Sequence, residues 1–103
     1  MGVQYRFTCP DCDHQAVVAG GMGNGEHEKT KTIHCLDCGE LYDVVCGLLK
    51  RNYRAGETTY HYAPTPSTCP VEAAHRWQEW TAPYLCPRCG RGMRRGEVEV
   101  VWD

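Results

Sequence analysis

Six of the eight cysteines fall in three repeats of one pattern: Cys9-Pro10-Asp11-Cys12, Cys35-Leu36-Asp37-Cys38 and Cys86-Pro87-Arg88-Cys89. Two thiols with two residues between them can be offered to one ion from a single tight turn. A tetrahedral Zn(II), with Zn–S near ~2.3 Å, needs four such donors from two chain segments. Gly39 and Gly90 follow two of the pairs, where the chain leaving such a turn needs positive φ, which glycine adopts without steric cost. The first two pairs have 22 residues between them, a separation suited to one shared ion. Cys9, Cys12, Cys35 and Cys38 are therefore expected to hold one metal.

The third pair has no fourth CxxC behind it. Upstream, 16 residues separate Cys69 from Cys86, and His75 lies between them. Cys69, His75, Cys86 and Cys89 are expected to form a second site of three thiolates and one imidazole, one unit less negative than four thiolates. Cys46 is the competing fourth ligand. It shares a period-two face with Tyr42, Val44 and Leu48, which reads as the buried side of a strand. His61, between Tyr60 and Tyr62, reads as an aromatic-like side chain, His34 would face away from the adjacent Cys35, and His14 and His27 read as surface. Spacing alone also permits an arrangement in which Cys9 and Cys12 share an ion with a later pair.

The rest of the composition explains why such staples are needed. A chain of 103 residues with one Phe, 10% aromatics and eight Cys has little from which to build a large core. Its mean hydropathy of −0.54 leaves no stretch of ~20 apolar residues to span a membrane. The N-terminus lacks the basic start and apolar run of a secretory signal, and Arg6 stands where a myristoylation signal has Ser or Thr. A cytoplasmic location is expected, where paired thiols serve more often as metal ligands than as disulfides.

The elements that position the cysteines follow from alternation and turn residues. Strands are expected at Gln4 to Thr8, Gln15 to Val18, Lys31 to His34 and Leu41 to Leu48. The run from Gly20 to Gly25, with four Gly in six residues, reads as a mobile hairpin tip. It is no phosphate loop, because Lys29-Thr30 has neither a preceding Gly nor a following helix. Residues 48–66 read as a connector with a β-prone part at Thr58 to Tyr62, closed by Pro64 and Pro66. Pro70 to Ala74 suits one helical turn, His75 to Trp80 a strand, and Gly96 to Trp102 a closing strand with Val98, Val100 and Trp102 on one face.

These turns resemble those of the zinc-ribbon superfamily, the rubredoxin-like group of small β-sheets in which CPxCG-type knuckles clamp one metal. The resemblance implies a small, metal-stapled, mainly-β fold of two tandem zinc-ribbon-like modules with little helix. The first module would be 1–47, with a four-cysteine site, and the second 67–103, with a three-cysteine, one-histidine site; 48–66 would connect them. It also implies that the knuckle cysteines are metal ligands. Two departures stand out: Asp13 occupies the usual Gly position of the first knuckle, and Cys69 with His75 replaces a second CxxC.

Charge bears on partners. Residues 1–47 carry three basic and seven acidic residues, whereas residues 48–103 carry eight basic and six acidic. Lys50, Arg51 and Arg54 around Tyr53, and Arg88, Arg91, Arg94 and Arg95 around the last knuckle, are the surfaces through which nucleic acid could be met. The formal net charge is −2, and two Zn(II) with seven thiolates would make the chain more negative still, so phosphate contact would need a local patch. Four protein ligands per ion leave no open position for catalysis, so no enzymatic activity is expected. A thioredoxin-type redox site would need a helix after its CxxC, and Gly90 argues against one. The expected role is a zinc-binding adaptor, with two Zn(II) per chain, docking to a protein or to nucleic acid. The aromatic set Tyr53, Tyr60, Tyr62, Trp77, Trp80, Tyr84 and Trp102 would lie partly exposed as its contact patch. The alternatives are an electron carrier with iron in the first four-cysteine site, as in rubredoxins, and an accessory subunit of a zinc-dependent enzyme.

Overall fold

A computed structural model describes residues 2–102, and every regular element among them is a β-strand. In chain order these are β1 (Gly2–Thr8), β2 (Gln15–Val18), β3 (Met22–Asn24), β4 (Glu28–Cys35), β5 (Glu40–Arg54), β6 (Glu57–Pro64), β7 (Trp77–Glu79) and β8 (Arg94–Trp102). Pro70 to Ala74, expected as a helical turn, is irregular turn instead. No helix among the described residues is long and apolar enough to cross a membrane.

The strands form two antiparallel sheets, β2-β1-β8 and β3-β4-β5-β6, with β7 paired to β4 beyond the end of β3. The first and last strands are therefore partners, with Gly2 opposite Trp102 and Thr8 opposite Arg94. The sheets cross the expected boundaries of 1–47, 48–66 and 67–103: β1 and β8, from the two outer segments, share one sheet, and β7 joins β4 in the other. The unit built on β4, β5 and β7 is inserted between β2 and β8 of the other, so the two units are nested rather than consecutive.

The segment from 48 to 66 is also not a plain connector. β5 runs on past its pairing with β4, and its second half pairs with β6 from Gly47 opposite Pro64 to Arg54 opposite Glu57. Ala55 (φ 50°) and Gly56 (φ 81°) make the two-residue turn, both in the left-handed region that a primed hairpin turn requires. The resulting ribbon contributes to a molecule measuring 58 × 32 × 20 Å along its principal axes. The Gly-rich segment expected as a mobile tip contains β3. Gly23 is buried there, and a Cβ added to it would come within 2.6 Å of Thr30 Oγ1 and 3.4 Å of the Trp102 ring, so glycine is what lets the strand approach.

The core is small and aromatic. Phe7, Cys9, Val18, Leu41, Trp80, Cys86 and Met93 are buried together, with Tyr5, Ala16 and Tyr84 packed on them. Phe7 meets Trp80 edge-on at 4.9 Å and Tyr84 at 5.0 Å. Trp80 satisfies its indole N–H on the Leu85 carbonyl at 2.7 Å. Trp80 and Tyr84 thus serve the core, while Tyr60 is 58% exposed. The Tyr53 side chain lies outside what the structure describes.

The two units are keyed together by Asp43 on β5. Its carboxylate accepts from Gln4 Nε2 of β1 (2.8 Å), from the Ala19 amide after β2 (2.9 Å) and from Thr32 Oγ1 of β4 (2.5 Å). Thr32 Oγ1 in turn accepts from the Gly20 and Gly21 amides, so one carboxylate fixes the chain where it passes from the outer unit into the inner one.

Candidate metal centres

The CxxC turns repeat one backbone geometry. The amides of Asp13, Gly39 and Gly90 donate to the carbonyls of Cys9, Cys35 and Cys86 at 3.0, 2.9 and 2.9 Å. The same three residues have φ of 61°, 67° and 77°. Asp13 thus does the work of the glycine that usually closes a knuckle, because aspartate tolerates the left-handed region better than most residues with a Cβ. Two of these turns lie inside hairpins, Cys9–Cys12 between β1 and β2 and Cys35–Cys38 between β4 and β5. The third precedes β8.

The donors converge as two groups, Cys9, Cys12, Cys86 and Cys89, and Cys35, Cys38, Cys69 and His75. Within each, all four donor atoms lie within 4.8 Å of one another. The eight expected residues are all present, but their grouping differs from both expected sites. Neither Cys9 and Cys12 with Cys35 and Cys38, nor Cys69 and His75 with Cys86 and Cys89, is what the fold assembles. The cause lies in the sheets. β8 pairs with β1 and carries the last knuckle to the first, while β7 pairs with β4 and carries the segment from Cys69 to His75 to the second.

Distances within the groups distinguish the available chemistries. Cys9 and Cys89 sulfurs are 3.4 Å apart, Cys12 and Cys86 3.6 Å, and Cys38 and Cys69 3.7 Å. A disulfide needs ~2.05 Å. A tetrahedron with arms of ~2.3 Å has edges of about 3.8 Å, close to what is seen. His75 turns Nδ1 toward the sulfurs, 3.4 Å from Cys38 and 3.6 Å from Cys35. Both groups thus fit a tetrahedral ion, one with four sulfurs and one with three sulfurs and a nitrogen.

The thiols are electrostatically uneven. Burial raises the Cys9 thiol, but the amides of Cys12 and Asp11 and the neighbouring Cys89 and Cys12 outweigh it and bring it down to about 7. Cys69 behaves alike: burial opposes, yet the amides of Glu72 and Val71 and the contacts with His75 and Cys35 lower it to about 6. At Cys12 the His14 amide favours the thiolate, but burial and the three neighbouring thiols win and push it up to about 12. The Tyr42 hydroxyl does the same service for Cys38, where burial with Cys35 and Cys69 still raises the thiol to about 11. Three or four thiolates packed this closely repel one another, and a divalent cation removes that repulsion while displacing the remaining protons.

Surrounding groups join the two centres. Arg88, inside the third knuckle, donates from Nε to the Gly39 carbonyl at 2.8 Å and pairs with Glu40. Asp37, inside the second knuckle, accepts from the Arg76 amide at 2.7 Å and from its guanidinium, which holds the carboxyl below its usual range. The other candidates stand apart. Cys46 is half-buried and free, and belongs to neither group. His34 is half-buried beside Gln78, His61 sits against Asn52, and His27 is exposed. His14, expected at the surface, is half-buried with Nε2 3.7 Å from Glu40. Compared with family models, with curated proteins and with solved structures, the chain finds no match.

Proposed function

We propose that this chain is a non-enzymatic zinc-binding interaction module, built from two nested zinc-ribbon-like units that each hold one structural Zn(II). Cys9, Cys12, Cys86 and Cys89 are the ligands of the outer ion, and Cys35, Cys38, Cys69 and His75 those of the inner one. The observation that carries this reading is the closure of both groups, four protein donors each at the spacing of tetrahedral edges. A catalytic zinc keeps three protein ligands and a water, so two closed sets favour structural ions. The ions act as Lewis-acid crosslinks that neutralise the clustered thiolates and replace the large core this chain lacks. The rigid frame they create presents surfaces to a partner in the cytoplasm.

Metal analysis with native mass spectrometry tests this directly. Two zinc ions per chain are expected, with Cys12→Ser and Cys38→Ser each removing one. One ion or none in protein purified without chelator would overturn the reading, and a red chromophore from iron in the four-sulfur group would move it to electron transfer.

A further inference from the structure

We propose that the β5–β6 ribbon is a contact element for single-stranded nucleic acid. The inference rests on the chain being an interaction module and names the partner. From Lys50 to His61 all residues whose side chains are described are exposed. Register divides the ribbon into two faces. Lys50 opposite His61, Asn52 opposite Thr59 and Arg54 opposite Glu57 make one, while Leu49 opposite Tyr62 and Arg51 opposite Tyr60 lie on the other.

On the second face the Arg51 guanidinium lies 5.8 Å from the Tyr60 ring centre, and Lys29 reaches over Tyr62 at 4.8 Å. At the foot of this face is a cleft of about 420 Å³ lined by Glu26, His27, Leu49, Arg51 and Tyr60. Its volume admits a nucleobase, with a tyrosine ring to stack on, a guanidinium, and a carboxylate and imidazole for the base edge. Aromatic rings interleaved with cations are what a strand with unstacked bases requires, and a duplex does not offer its bases that way.

Charge points to the same partner. Residues 48–66 carry Lys50, Arg51 and Arg54 against Glu57 alone, whereas the rest of the chain has eight basic and twelve acidic residues. Filling both metal groups deepens that negative remainder. In the other arginine cluster, Arg88 is held by the Gly39 carbonyl and Glu40. A polyanion is thus drawn to the ribbon more than to the acidic remainder of the chain.

Fluorescence anisotropy of labelled oligo(U), titrated with the zinc-loaded full chain at low salt, tests the proposal. Saturable binding is expected, weakening with salt on a log–log slope near −1.4 if Arg51 and Lys29, the cations of the tyrosine face, each meet one phosphate, at about 0.7 per contact. Tyr60→Ala should weaken binding by about fivefold or more through lost stacking, and the double charge reversal Lys29→Glu with Arg51→Glu should abolish it. Tyr60 and Arg51 are exposed and Lys29 is half-buried, and metal content measured on the same samples reports the fold. Absence of binding up to about 0.5 mM, beyond the usual non-specific range, overturns the inference. So does equal affinity for a duplex or a poly-glutamate peptide, or unchanged binding by the variants. Wild-type protein that holds two ions and fails to bind refutes this partner alone, whereas protein without metal refutes the module itself.

Discussion

Asp13 shows at single-residue scale what a knuckle demands. It holds φ 61° where Gly39 and Gly90 hold 67° and 77°, so the backbone requirement is met by a residue that carries a Cβ. Asp13→Gly is expected to leave stability unchanged or raise it by up to ~1 kcal/mol, and Asp13→Val to cost about 1–3 kcal/mol, in denaturation of the zinc-loaded protein. The donors divide just as sharply. His75→Ala should release only the inner ion, His75→Cys should retain both, and Cys46→Ala should retain both, all readable as metal per chain. Which residues converge was legible from spacing, including His75, with five residues between it and Cys69. Which pairs converge was not: a CxxC turn inside a hairpin offers two donors and carries no label for its partner. Closing 73 residues instead of 22 costs only about 1 kcal/mol more in loop entropy, too little to decide the pairing against strand register.

Among elements, β1, β2 and β8 were readable from alternation because each is short and bounded by a turn signal. β3 was missed because glycine lowers strand propensity, and what makes Met22–Asn24 a strand is the fit of Gly23 against Thr30 and Trp102, a tertiary fact. The β5–β6 ribbon was missed because its turn, Ala55-Gly56, lacks the Asn-Gly signature. That substitution supplies a test: Ala55→Asn should raise stability by about 1 kcal/mol, since alanine is strained in the left-handed region. The ribbon tip contributes no donor to either group, so replacing residues 50–61 by Asn-Gly should leave two ions bound and remove oligonucleotide binding, measured by mass spectrometry and anisotropy on one preparation.

At the scale of the molecule, Asp43 is where the nested units answer to one another. Asp43→Ala removes the acceptor of Gln4, of the Ala19 amide and of Thr32, and leaves the hydroxyl of Thr32, itself 1% exposed, only the distant Gly21 carbonyl at 3.5 Å, so a loss of about 2–4 kcal/mol is expected in chemical denaturation while both ions stay bound. The centres should also differ in lability. The outer group exposes Cys12 and Cys89, whereas the inner group has no exposed donor. Chelator competition followed with a zinc-responsive dye should give a fast and a slow phase, with Cys12→Ser removing the fast one. Nesting has a further meaning for a polypeptide made from one end. By the time His75 has left the ribosome the inner clamp has all its parts, while Cys9 and Cys12 still wait, unpartnered and open to oxidation, for Cys89 to emerge. During synthesis, then, the inner donor set is complete before the outer one, so if both take up an ion as proposed, the metal would be gained from the inside out.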